Sequence, residues 1–299
     1  MNSDLATLVY DRLKTYAPLT ALLCKYAELP AVFYQNAPDD QQTAWGGKTQ
    51  YPRVVFDIDE QANTERKSSG TLIVEVFCDR AGTEPEQIEP IIRECLKDLL
   101  IKPHGSFPYC FSWARTDAFV VKSIKEGGTA QRAAIGQEIR FDMLEYPKQD
   151  STDPDPVAAL CAFLLEEYPD ACIVGISPMG SYTEATAEKP VVYCRLESIE
   201  TDSVTNTVAW MDARIAIHII CSLPETRLKI AADIQNLLMW SAEIIMLDGS
   251  PMRPLRVSLS NTADYLKEGQ LRGVFHYGVL RWRAKPHQIK SSTSDLQAE

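Results

Sequence analysis

The chain spells out one order of elements twice, which restricts it to folds in which a single unit recurs in tandem. A polar stretch bounded by prolines, Pro147 to Pro156, divides its 299 residues almost at the midpoint. Ahead of it, Thr71-Leu-Ile-Val-Glu-Val-Phe-Cys78 leads through Thr83-Glu-Pro-Glu86 to a helical pattern ending in Leu99-Leu100. Behind it, Arg214-Ile-Ala-Ile-His-Ile-Ile-Cys221 leads through Ser222-Leu-Pro-Glu225 to one ending in Leu237-Leu238. Upstream, Pro52-Arg-Val-Val-Phe56 matches Pro190-Val-Val-Tyr193, and downstream Ile139 to Leu144 matches Phe275 to Leu280. The expected division is a first domain over 1–147, a linker over 148–156, a second domain over 157–286 and a polar tail over 287–299.

Length agrees with two cores, since single domains cluster at about 100–150 residues. The net charge of −11 is shared evenly, −5 over residues 1–150 and −6 over 151–299. Even acidity disfavours a protein that reads nucleic-acid sequence, whose footprint is a basic stripe. No stretch approaches the roughly 18 apolar residues of a membrane-spanning helix. Asp4, Asp11 and Arg12 interrupt the first apolar pattern, so it does not read as a signal peptide. The eight cysteines include no C-x-x-C pair. Cys78, Cys95, Cys161 and Cys221 fall on apolar positions and read as reduced, structural thiols in a cytosol.

Periodicity supplies the elements of one repeat. Leu5, Leu8, Val9 and Leu13 predict a helix over 4–16, begun by Asn2 or Ser3 and closed by Pro18; Val157, Leu160, Leu164 and Leu165 predict its counterpart over 156–168. Short apolar runs at 31–34 and 172–174 follow. Two β patterns then pair in each half, 54–58 with 72–77 and 191–196 with 215–220. Their connections, Asp59 to Gly70 and Glu197 to Asp212, are too long for tight turns and are expected to project as arms. Thr83 with Glu86 and Ser222 with Glu225 read as capping boxes for the second helices. Strands at 118–121, 139–144, 255–259 and 274–280 complete the units. The fold class is therefore α+β: two tandem repeats, each an antiparallel sheet with helices packed on one face.

Candidate chemistry is thin. Trp45-Gly-Gly-Lys-Thr49 carries half of a phosphate loop, but Gln42 stands where a glycine is required and a β-rich run follows instead of a helix. Asp57, Asp59 and Glu60 have no histidine or second acidic cluster beside them and read as a solvated sheet face. His218 and His276 lie between apolar strand residues and are expected on the opposite, polar face. Gly127-Gly128 and the segment from Gly175 to Gly180 read as turns. No catalytic residue, metal site or cofactor is assigned.

Leu19-Thr-Ala-Leu-Leu23, then Leu29-Pro-Ala-Val-Phe-Tyr-Gln35, then a long hairpin and a helix begun by Glu and Pro resemble the tail-terminator (tail-completion) proteins of long-tailed bacteriophages and related particles. Gly47 to Asp59, with Glu65-Arg-Lys67 and Gly70-Thr-Leu72, is similar to phage morphogenesis proteins. The resemblance implies a non-catalytic ring in the virion's tail–neck region, made in the host cytoplasm, which caps the tail tube and joins tail to head. Its implied partners are the tube protein, a head-completion or neck protein, further copies of itself, and DNA passing through without sequence recognition; no membrane is involved. Members carry one domain and form six-membered rings, so a duplicated chain implies a trimer with six-fold pseudo-symmetry. Two alternatives remain: another neck or tube protein, or a cytosolic regulator with two ferredoxin-like domains holding a small ligand between them.

Two groups of candidate residues follow. Asn63, Glu65, Arg66 and Lys67 on the first arm, with Thr201, Asp202 and Asn206 on the second, are expected to touch a neighbouring subunit or the tube. Asp57, Asp59 and Glu75, joined by Glu138 and Asp142, are expected to face a lumen, where carboxylates let DNA slide past and basic groups would hold it.

Overall fold

The structure, a computed structural model, describes residues 3–46, 49–61, 69–79, 82–124, 130–149 and 152–281. The first half contributes helices α1 (Ser3–Thr15), α2 (Ala17–Thr20) and α3 (Pro85–Leu96). Its strands are β1 (Lys25–Tyr26), β2 (Leu29–Pro30), β3 (Val32–Tyr34), β4 (Arg53–Glu60), β5 (Gly70–Cys78), β6 (Leu99–Ile101), β7 (Tyr109–Ile124) and β8 (Ala130–Glu145). The second half contributes α4 (Pro156–Glu167), β9 (Cys172–Ile173), β10 (Tyr182–Glu184), β11 (Val191–Val204), β12 (Val208–Ile220), α5 (Pro224–Trp240), β13 (Ile244–Ile245), β14 (Pro251–Leu259) and β15 (Leu271–Leu280).

The duplication is explicit in the sheets. The first large sheet contains the run β6-β7-β8-β5-β4-β3 and the second runs β13-β14-β15-β12-β11-β9, so each strand of these two runs has a counterpart at the same place. Pairing is antiparallel except at one end of each sheet, where β3 lies parallel to β4 and β9 parallel to β11. Two departures break the symmetry: α2 and the separate β1–β2 pair occur in the first half alone among the described residues, and β10, from the second half, extends the first sheet beyond β6. Each sheet turns one face toward its helices. Val54, Phe56, Leu72, Val74, Ile139 and Phe141 pack with Leu5, Val9, Ile88 and Ile92, and Val192, Cys194, Ile215 and Ile217 with Leu160, Leu164, Ile234 and Leu238. All eight cysteines are free, and Cys78, Cys95, Cys161 and Cys221 are buried as expected.

Local chemistry overturns several expectations. Neither capping box forms. The caps are Glu84 and Leu223, without side-chain bonds, because Pro85 and Pro224 begin the helices one residue later with φ already set and no amide to satisfy. Asp155 does cap α4, accepting from the amides of Val157 and Ala158 at 3.0 Å. Pro18 opens α2 rather than closing α1. The pattern ending at Leu99-Leu100 is not all helix: Asp98 takes φ +51, a left-handed conformation that Asp tolerates, and Leu99 to Ile101 become β6. The strands near 118–121 and 139–144 belong to a much longer hairpin, β7 with β8, 16 residues each. The second arm is not a loop either. β11 and β12 stay paired to Val204↔Ala209, and β12 also pairs with β15 out to Val208↔Leu280, so the sheet itself extends.

Candidate functional site at the junction of the two halves

The two halves share one seam, built first from backbone. β10 pairs antiparallel with β6, Tyr182↔Ile101, Thr183↔Leu100 and Glu184↔Leu99. The ladder continues where Lys102 N donates to Ser181 O at 2.9 Å and Ala185 N to Asp98 O at 3.0 Å. Side chains fix the register: Tyr182 OH donates to Leu8 O at 2.8 Å and Arg12 meets Glu184 at 2.8 Å. Strand addition covers the outer edge of β6, the usual liability of a sheet.

Behind this strand lies a third core. Leu100, Cys110, Leu144 and Tyr146 from the outer face of the first sheet pack with Val174, Ala185, Val191, Tyr193, Ile220 and Leu266. Polar groups bridge it. Tyr146 OH donates to Leu266 O at 2.9 Å, Tyr193 OH to Pro147 O at 3.1 Å, Tyr265 OH to Asp98 Oδ1 at 2.6 Å and Lys267 Nζ to Asp142 at 2.6 Å. The Arg227 guanidinium stacks 3.7 Å above Tyr265. Gln270 mimics a strand just past the β12–β15 ladder: its amide accepts from Ile219 N at 2.9 Å and donates to Ile219 O at 2.8 Å. Only glycine fits at 269 beside it, where φ is +79 and a Cβ would stand 2.9 Å from Ile217 O. The described part of the linker is likewise bound, with Gln149 Nε2 donating to Tyr193 OH at 3.3 Å and Gln149 Oε1 accepting from Leu196 N at 3.3 Å.

Burial sets the protonation states. His218 does not face solvent as expected. Its outer-face position is covered by the first half, between the rings of Tyr146 and Tyr193, and it is 1% exposed. Desolvation, aided by Arg195, lowers its pKa to about 4, so it is neutral near pH 7. Its Nδ1 lies 3.1 Å from Tyr265 O, which can only accept, so the proton is assigned to Nδ1; Nε2 has no hydrogen-bond partner. Burial also raises the Asp98 carboxyl, against the Tyr265 hydroxyl that lowers it, and Oδ2 has no partner. Tyr193 is pushed up to about 12 by burial.

Beside the seam opens a cleft of about 860 Å³ that reaches His218, Tyr146 and Tyr193. Its charges are Arg195, Lys267 and Arg272 against Glu60, Glu145, Glu197 and Glu268. Glu197 pairs with Arg195 at 3.6 Å and with Arg272 at 3.4 Å, and Asp142 engages Lys267. The bases are thus already compensated, and nothing here concentrates one sign of charge. Among the described residues no group of three or more His, Cys, Asp or Glu is placed to hold a metal ion.

The sequence-predicted residues fall elsewhere. Asn63, Glu65, Arg66 and Lys67 lie outside the described residues. Thr201 and Asp202 are exposed on β11, and Asn206 is in the turn that closes it. Asp57 and Asp59 are exposed on the outer face of the first sheet, and half-buried Glu75 shares that face, opposite Glu138. Asp142 lies on it too but is held by Lys267, and Arg140 intrudes, ion-paired to Glu138. Residues 175–180 do lie outside regular structure, but the sequence carries no signal for the strand that follows them, Tyr182 to Glu184, whose three residues are too few for a periodic pattern. Comparison with family models, with curated proteins and with solved structures finds no match.

Proposed function

We propose that this chain is a structural component of a tailed phage or related phage-like particle, a tail terminator that caps the tail tube and joins tail to head. The observation that supports this reading is the seam. Two copies of one fold are joined front to back, with a strand from the second completing the sheet of the first. A front-to-back contact leaves one unused surface at each end of the chain and therefore propagates. Three chains would supply six such units around a lumen through which DNA passes without sequence recognition. The tube protein and a neck protein would be the axial partners, in the tail–neck region of the virion. Incubation of the protein with tail tubes and negative-stain microscopy tests this: rings seated on tube ends are expected, and unringed tubes would overturn it.

The cleft favours a second reading, a two-domain regulator that holds a small ligand between its halves. Its internally paired charges leave it suited to a neutral, aromatic-binding molecule rather than to an anion. A ligand-dependent rise in melting temperature from a protein that stays monomeric would support that reading over the first.

A further inference from the structure

The seam within one chain is a template for a contact between chains. On the first half, the outer-face residues at the β6 end of the sheet are buried by the second half: Leu100 is 0% exposed and Tyr146, just past β8, is 2%. On the second half, the same place in the topology is bare. Ile245, the outer-face residue of β13, is 62% exposed, and Leu280, at the end of β15, is 75%. Pro251, which pairs with Ile245, is exposed between them, and Trp240 stands exposed at the end of α5. Among the described residues β13 is also an edge strand with no partner beyond it, whereas β6 has β10.

Counting surfaces identifies the occupant. The second half uses the outer face of β11 and β12, with Val191, Tyr193 and Ile220, to cover the first half. The first half has the matching face on β4 and β5, carrying Arg53, Val55 and Phe77, together with Phe33 on β3. That face is aromatic, with Arg53 stacked on Trp45, Tyr51 and Phe77 at 4.9–5.9 Å. Within the chain one acceptor and one donor are satisfied by each other. One acceptor on the second half remains bare, and the matching face of the first half is partly open, with Val55 buried and Phe33, Arg53 and Phe77 half-buried beside Trp45.

We infer that the β13 edge, with Ile245, Leu280 and Trp240, binds the first half of a second copy of this chain, head to tail, as the second half binds the first within each chain. The contact itself stands on the seam alone; closure into a ring rests on the reading proposed above. Native mass spectrometry and sedimentation of the full chain test it. Concentration-dependent oligomers are expected, weakened at least about tenfold, or ~1.4 kcal/mol, by Ile245→Asp or Leu280→Asp. Leu228→Asp is the matched control, on the same helix as Trp240 but about 18 Å of helix away; it should leave assembly unchanged. Both test positions are exposed, so their variants should fold, and circular dichroism checks this. A wild-type chain that stays monomeric at all concentrations, or cross-links that join β13 to β13 in a symmetric dimer, would overturn the inference. Open filaments sensitive to Ile245→Asp would support the contact while overturning the closed ring.

Discussion

The hydroxyl of Tyr265 donates to Asp98 Oδ1 at 2.6 Å across 167 positions of sequence, tying the turn before β6 to the loop before β15. Asp98 sits in a left-handed conformation, its carbonyl accepts from Ala185 N, and its second carboxylate oxygen is unpaired. One residue thus ends a helix, starts an edge strand and fastens the halves.

Removing the hydroxyl with Tyr265→Phe leaves a buried carboxylate without either partner, which costs about 1–3 kcal/mol. Asp98→Asn should be far milder, because the amide oxygen still accepts from Tyr265, Asn also tolerates positive φ, and the desolvated charge is gone. Urea melts of the two variants measure this, and Asp98→Asn proving the worse of the two would refute the account.

His218 predicts a pH dependence. Its pKa falls from about 6.5 in the unfolded chain to about 4 when folded. Between those values the unfolded chain binds more protons, so stability must fall as pH drops through that window, by up to ~1.4 kcal/mol per unit. Asp98 acts in the opposite sense, since its raised pKa favours the folded state as pH falls. His218→Gln separates the two: melting temperatures of the variant should lose the decline between about pH 6.5 and 4 that the wild type shows.

The seam also predicts dependence between the halves. Residues 1–147 alone would expose Leu100, Cys110, Leu144, Tyr146 and the bare edge of β6, with each large apolar side chain worth about 1.5–3 kcal/mol when buried. The fragment should aggregate alone and become soluble when co-expressed with residues 152–281. A monodisperse 1–147 with a cooperative melt would show instead that β10 is dispensable.

What the sequence made legible is what repeats. The helix-facing residues of β4, β5, β11 and β12 alternate regularly, and the apolar spacing of the helices announces them even where the expected capping boxes do not form, so two α+β copies were readable. The seam was not. His218 alternates with Ile217 and Ile219 as a polar outer-face residue would, and no local pattern shows that a second half covers it. Leu99 continues the helical spacing of Ile92 and Cys95, and only the left-handed Asp98 diverts it into a strand. Partners 44 to 174 residues apart leave no periodic trace in a single sequence.

The extended ribbon of β11 and β12 supplies a test of partner contact. Thr201 to Thr207 are all exposed, and Val204 near the tip is a bare apolar residue. Replacing 202–207 by a two-residue turn should shift the melting temperature little, because no residue of β12 before Ala213 is buried. In the tail-terminator reading the same variant should no longer cap tubes, and tails of normal length assembled with it would remove the ribbon from the interface.

The acidic outer face gives the remaining test. Asp57 and Asp59 are exposed on β4, and Glu75 is raised in pKa, first by burial and then by Glu138 across the strands. Arg140 already neutralises Glu138, so the field of this face depends on Asp57, Asp59 and Glu75. Replacing the three with Lys reverses its sign. Glu75→Lys should itself be tolerated, because the ammonium meets Glu138 in place of a like charge. If the face lines a lumen, particles carrying the triple variant should assemble but release DNA slowly, and added salt should relieve the delay by screening phosphate contacts. Release at the wild-type rate from correctly assembled variant particles would make this face ordinary solvated surface.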